Sequence, residues 1–496
     1  MKLKLVESTG VAPGTKYCTL SHCWGRNEMF TLEQTNYPEC LQNIPFEWLT
    51  KTFQHAITAA TRLGYSYIWI DSLCIIQKDT ADWQKEAGTM ATVYAQSSLN
   101  LAASSASDGQ AGMFFPRDPA LLQPITISMP STKIKYSVEN PYLWAHSIED
   151  SVLASRGWAL QERFLAPRTL HFTTKQLFWE CIQGCASESS PTISAQNIFD
   201  GHPSIALKGP MPAEMLWDNV VRAYSQTYLS HVADKLIALS GIARAVQARN
   251  RDIYLAGMWW TGLETQLLWA VKRTPWMQKR ALPAHRLTPK PTRPVEYRAP
   301  SWSWAAVDGF ISTANERLAG DGVVLISITG SEIVPMHDSD AFGQIKAAYL
   351  EVQGEQLKKA RVKKGITGSR KICISVKGQW RDLSYILDEE PLTGKEPIYL
   401  LLARQHRHPS PAGRPKMFRN EYDILDGLLL TPIEGMAGQY SRLGTWTISG
   451  SWGEGLVGAW MGQGVRDLKG FRTLPGVEDS QAYVNVEEDG YKIRLV

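Results

Sequence analysis

Ser66-Tyr67-Ile68-Trp69-Ile70-Asp71 is a continuous apolar run closed by a carboxylate. Such a run reads as a short strand covered on both faces, the habit of strands in parallel sheets. Upstream, Phe53, Ala56, Ile57, Ala60 and Leu63 recur at helical spacing, and Gly64 stops that helix. Before it, Tyr17-Cys18-Thr19-Leu20-Ser21 is a strand candidate that ends at Gly25. Downstream, Asp79 is placed to cap a helix carrying Trp83, Ala87, Met90 and Tyr94 on one face. Ser98 to Ala103 reads as the third strand.

Residues 113–150 interrupt this alternation. They are Pro-rich, with period-two segments such as Pro124-Ile125-Thr126-Ile127-Ser128-Met129, and are read as a β-like insertion. A helix is predicted from about 156 to 165, with Ser155 before it. Strands are predicted at Arg168 to Phe172 and at Gln176 to Cys181. Strands spaced by helices imply βαβ units and a parallel sheet. The fold class expected is therefore α/β over 1–190. A helical region follows at 191–278, then a Pro-rich basic connection at 279–299 and a β-rich domain at 300–496. The helical pattern itself runs over 212–275.

Bulk properties narrow the function. The chain has 496 residues and balances 52 basic against 48 acidic side chains. That balance does not point to nucleic acid as a partner. Met1 to Gly10 has no apolar h-region, so no secretory signal is expected. The stretch Leu255 to Val271 contains Glu264 and is shorter than the roughly 20 residues of a membrane span. Seven Cys without framework spacing fit a reducing, cytoplasmic location. Cys181-x-x-x-Cys185 has no second pair, so no metal site is expected. No Walker A or dinucleotide fingerprint follows a strand.

Candidate site residues gather at strand ends. Ser21, His22, Trp24 and Gly25 form the turn after the first strand, and Asp71 and Ser72 close the second. In a doubly wound sheet both groups lie at the carboxyl edge, where ligands bind. Trp158 and Glu162 are four apart and share one helix face. A carboxylate at that edge can stabilise a sugar cation or orient a ribose hydroxyl. Read from residue type alone, Glu162 is equally a surface acid paired with a neighbouring Arg, His22 a structural histidine and Asp71 a loop cap. His22 and Cys23 are adjacent and point to opposite faces, a poor nucleophilic dyad. The run Lys358 to Lys371 has seven Lys/Arg and no acid; it reads as a solvated loop or as a surface for an anionic partner.

Four blocks together resemble the fungal heterokaryon-incompatibility (HET) domain. They are Leu20-Ser21-His22-Cys23-Trp24-Gly25, Trp69-Ile70-Asp71-Ser72-Leu73-Cys74-Ile75-Ile76-Gln77, Met90-x-x-Val93-Tyr94 and Arg156-Gly157-Trp158-x-Leu160-Gln161-Glu162-Arg163. The resemblance covers about residues 17–182. Later blocks, such as Tyr297-Arg298-Ala299-Pro300-Ser301-Trp302-Ser303-Trp304, resemble segments found downstream of such domains.

The resemblance implies a role in fungal non-self recognition and regulated cell death. It also implies a flavodoxin-like core, remotely similar to the Toll/interleukin-1 receptor (TIR) domain. Some TIR domains cleave NAD with a Glu on the helix after the third strand, and Trp158-x-x-x-Glu162 looks similar to that helix. On this basis Glu162 is the catalytic candidate, with Ser21, His22, Trp24, Gly25, Asp71, Ser72 and Trp158 lining the pocket. NAD is then a substrate, and no cofactor is required.

Self-association follows from the same resemblance, since TIR-type sites often form between protomers. The C-terminal domain is a candidate surface for a protein partner. Two other readings stay open at this point: a non-enzymatic homotypic signalling module, and an enzyme acting on another small molecule such as a fungal metabolite. In the latter, the tryptophans at 259–260 and 302–304 would wall an apolar pocket.

Overall fold

A computed structural model of the chain describes residues 2–122, 125–128, 135–138, 142–194, 213–272, 291–314, 322–337, 340–354, 357–364, 370–376, 379–389, 397–408, 422–450, 485–487 and 490–496. It divides into two compact units. The first runs to Asn250, and the second takes in 251–278 and 288–496.

In the first unit, β1 (Cys18–Ser21), β2 (Ile68–Trp69), β3 (Leu99–Ala102) and β6 (Arg168–Phe172) are parallel, in the order β2-β1-β3-β6. Hydrogen-bonded register places Cys18 beside both Ile68 and Leu99. The order reverses at β1, so the topological switch lies between β1 and β3. The sheet then changes character: β7 (Leu177–Cys181), β8 (Gly184–Ser187) and β9 (Ser190–Ser194) extend it antiparallel, giving seven strands. The sequence pattern reached β7 but missed β8 and β9, whose Gly, Ser and Cys residues carry little hydrophobic periodicity. Within the insertion, β4 (Ile125–Ser128) and β5 (Lys135–Val138) pair antiparallel.

Helices flank the sheet as the periodicities require. In α1 (Lys51–Arg62), Phe53, Ala56, Ile57 and Ala60 enter the core with Cys18, Leu20, Ile70 and Leu101. Leu63, the last residue of the predicted stripe, falls beyond the helix and is exposed. The Asp79 carboxylate caps α2 (Thr80–Gln96), accepting from the amides of Ala81 and Asp82. Helix α3 (Gly157–Leu165) starts within a residue of the predicted boundary, with Arg156 at the N-cap and no side-chain cap. Gly157 packs closely there: a Cβ would sit 2.6 Å from the Leu229 side chain, which would have to shift. Helices α4 (Ala213–Tyr224) and α5 (Ile237–Asn250) complete the unit.

The helical pattern read over 212–275 is carried by Ala213–Tyr224, Ile237–Asn250 and the short helix Leu263–Gln266, with a break after Asn250. Beyond it, Tyr254–Leu255 and Met258–Trp259 form a tight antiparallel pair around Ala256 and Gly257, both at positive φ. Over 254–259 the apolar spacing reports burial rather than a helix.

The second unit is built on a 12-stranded sheet whose main path includes Ser327–Pro335, Ile345–Gly354, Gly490–Leu495, Gln439–Gly450, Tyr422–Pro432 and Ile398–His408. Its core packs Ile372, Leu400, Leu402, Leu425, Leu429 and Trp446. The basic run read as a solvated loop or anion-binding surface forms two paired strands, Lys358–Lys364 and Arg370–Val376. Trp259, Trp302 and Trp304 are buried, and the Trp304 indole donates to the Gly257 carbonyl at 2.7 Å. Arg442 is fully buried with its guanidinium 3.5 Å over the Trp269 ring and 3.0 Å from Asp388. Among the described residues, no helix is long and apolar enough to cross a membrane.

Candidate functional site

The carboxyl ends of β1 and β3 hold a buried polar nest. Ser21 is the last residue of β1, and its hydroxyl exchanges hydrogen bonds with the Asn100 amide of β3, at 3.1 and 3.2 Å. Thr19, one pleat earlier, also donates to Asn100 Oδ1 at 3.0 Å. The Tyr94 phenol reaches over from α2 and donates to the Leu20 carbonyl at 3.1 Å. Helix α3 delivers Glu162 into this group.

Glu162 is only 3% exposed, and its Oε2 has no hydrogen-bond partner. Burial raises its pKa to about 7. The Arg156 charge and the Ser21 and Tyr94 hydroxyls pull it back toward ionisation, while Asp71 pushes the same way as burial. The surface ion pair that residue type alone suggested does not form; Glu162 is a buried acid among the polar groups of the nest, poised between its two states.

The turn after β1 supplies the other wall. The Trp24 indole donates to Asp71 Oδ2 at 2.9 Å, while Asp71 Oδ1 accepts from the Ser72 amide at 2.7 Å. His22 Nδ1 stands 3.6 Å from Asp71 Oδ1, and the His22 and Trp24 rings stack 6.4 Å apart. Burial drives the His22 pKa down to about 4, with Asp71 opposing and Arg156 adding to the shift, so the imidazole is neutral near pH 7. Its Nε2 is buried without a partner. The Arg156 guanidinium bonds the His22 carbonyl. Burial pushes the Cys23 thiol up to about 11, which removes it as a nucleophile at neutral pH. Gly25 has φ +71°, and a Cβ there would lie 2.3 Å from Asp108 Cβ, so the turn can close only on glycine.

Ser21, His22, Trp24, Gly25, Asp71, Ser72 and Glu162 thus lie at one edge of the sheet. Ser72 is buried and its hydroxyl has no partner. Trp158 is engaged elsewhere: its indole bonds Asp234. Sequence reading missed Asn100, Tyr94 and Arg156 as members of the nest. Asn100 was visible as the one polar residue in Leu99-Asn100-Leu101-Ala102; Tyr94 looked like ordinary helix core.

A second buried network lies beside the first. Arg163 Nε donates to both oxygens of Glu180, and His171 Nε2 lies 2.6 Å from Glu180 Oε2. Burial keeps His171 neutral, so its Nε2–H donates to Glu180 and Nδ1 accepts from the Ser104 hydroxyl at 3.0 Å. Among the described residues, no group of His, Cys, Asp and Glu could hold a metal ion.

Residues 17–162 match the family model described as Heterokaryon incompatibility protein (HET), a span that begins one residue before β1 and ends on Glu162. This segment is a HET domain. Membership implies a role in fungal heterokaryon incompatibility and cell death. The matched span contains every residue of the nest, whereas the Arg163–Glu180–His171 network lies outside it, Ser104 excepted. Neither the curated proteins nor the solved structures gave a match to the chain.

Proposed function

We propose that the HET domain cleaves the nicotinamide–ribose bond of NAD, with Glu162 as the catalytic carboxylate. The observation that carries this reading is a buried Glu162 without an ion-pair partner at the topological switch of a parallel sheet. Heterolysis leaves the bonding pair on the nicotinamide nitrogen, which departs neutral, and a positive charge on the ribose. An ionised Glu162 in a low-dielectric shell stabilises that charge, or holds the ribose 2′-hydroxyl. Water, or an adenine nitrogen, adds to the anomeric carbon, and the proton released passes to solvent or to the carboxylate. Trp24, half-buried beside His22, offers a face for ring stacking, and Asp71 fixes the indole.

The test is nicotinamide release from NAD by the pure chain and by Glu162→Gln. Measurable turnover that is equal in both removes Glu162 from the mechanism. A non-enzymatic interaction module is the second reading, favoured by the near-complete burial of Glu162; it requires assembly with no turnover at any concentration. An enzyme acting on another small molecule is distinguished by a ligand bound away from Glu162.

A further inference from the structure

The crevice where a doubly wound sheet receives its ligand lies between the carboxyl ends of the strands at the switch. In this chain those ends are Cys23, just past β1, and Ala102, the last residue of β3. They are not open to a ligand. Leu153, from the return of the insertion, packs between them with Ala159 of α3, and Val152 covers the group. Leu153 is 5% exposed. Close to this apolar stopper are the unpartnered His22 Nε2, next to Cys23 in the chain, and Glu162 Oε2, whose carboxylate acts on the Cys23 thiol.

The segment that carries the stopper makes several hydrogen bonds within itself, and at its end the Ser155 carbonyl accepts from the Tyr228 amide at 2.7 Å. The amides of Ser155 and Arg156 bond back to Val152 and Leu153, and the Ala154 amide bonds the Ser151 hydroxyl. Among the described residues, two hydrogen bonds tie it to the strand edge. One is long, Leu153 N to the Ser104 carbonyl at 3.4 Å; the other is Arg156 to the His22 carbonyl. Withdrawing it breaks these two bonds and the bridge between Arg156 and Tyr228, but no ladder of the seven-stranded sheet. Buried polar groups without partners disfavour the closed arrangement, and water or a ligand entering the nest would satisfy them.

We propose that Val152–Arg156 is an autoinhibitory plug: Leu153 closes the β1–β3 crevice over Glu162, and the site works only when this segment is withdrawn. The regulation rests on the reading of the Glu162 nest as the catalytic site; the closure itself does not.

The experiment is Leu153→Ala in the full chain, with two readouts. N-ethylmaleimide labelling is followed peptide by peptide, and nicotinamide release from NAD is measured alongside. Cys23 sits in the plug cluster, whereas Cys18 and Cys40 sit in the main core. The expected result is at least ten-fold faster labelling of Cys23, with Cys18 and Cys40 unchanged, and faster NAD cleavage. Faster Cys23 labelling with no NAD cleavage keeps the closure and overturns the catalytic reading. Unchanged Cys23 labelling overturns the plug, whatever the turnover. If all three cysteines react faster, the variant has lost its fold, and amide exchange of the wild-type chain decides. Exchange of 152–156 at least 100-fold faster than of 18–21 and 99–102 supports the plug; exchange of all three in one cooperative step overturns it.

Discussion

Arg163 donates through Nε to both carboxylate oxygens of Glu180, at 3.1 and 2.9 Å. The α3 cation next to Glu162 is thereby committed to β7. Neighbouring residues on a helix point about 100° apart, and α3 uses that divergence fully. Gln161 accepts from the Gly241 amide of α5 at 2.7 Å, Glu162 enters the nest, and Arg163 reaches the antiparallel strands. Three consecutive polar side chains therefore fix the rotation of the helix and leave Glu162 without a salt bridge.

Glu180→Gln keeps the shape of that network and removes its charge. Arg163, largely buried, then loses its hydrogen-bonded counter-ion, a change that typically costs about 3–5 kcal/mol. Urea denaturation should show a loss in that range. A loss below about 1 kcal/mol would mean that water replaces the carboxylate, and that the pair does not hold α3.

Glu162→Gln should abolish nicotinamide release while stabilising the protein at alkaline pH. The folded-state pKa of Glu162 is raised to about 7 from 4.5. Its contribution to stability is therefore complete below pH 4.5 and is lost as pH rises through 7. Above that, the buried carboxylate costs on the order of 3 kcal/mol, which a neutral amide avoids. Melting curves of both proteins at pH 5 and pH 8 check this: the variant's advantage must appear at pH 8 and shrink at pH 5.

Turnover of NAD should rise with pH through about 7, because the ionised carboxylate is the working form. His22, held down to about 4 by burial, is neutral throughout that range and does not supply this limb. A rate that falls as pH rises through 7 would assign the protonated acid instead.

Gly241→Ala tests the helix packing behind the site. A Cβ at 241 would lie 2.4 Å from Ala91 Cβ and 2.6 Å from Gln161 Oε1, and the Gly241 amide is the donor to Gln161. Overpacking of this kind costs roughly 1–3 kcal/mol. A lower melting temperature together with reduced nicotinamide release is expected; an unchanged melting temperature would show that α2, α3 and α5 shift apart without strain.

The sequence by itself determined the parts of this protein that depend on local periodicity and on blocks of adjacent residues. The run ending on Asp71, the Phe53-Ala56-Ile57-Ala60 stripe, the Asp79 cap and the four HET-like blocks are all one-dimensional signals, because a buried strand, an amphipathic helix and a tight turn each restrict neighbouring positions. Only the tertiary structure decided which of these residues meet. Asn100 and Tyr94 join Ser21 and Glu162 because the sheet order puts β1 beside β3 and folds α2 across them. Trp158 leaves for Asp234 because α3 lies against the 232–235 turn. Leu153 closes the crevice because the insertion returns over the strand ends. Such contacts join residues far apart in the chain, and burial, which gives Glu162 its intermediate acidity, is a property of the whole packed unit.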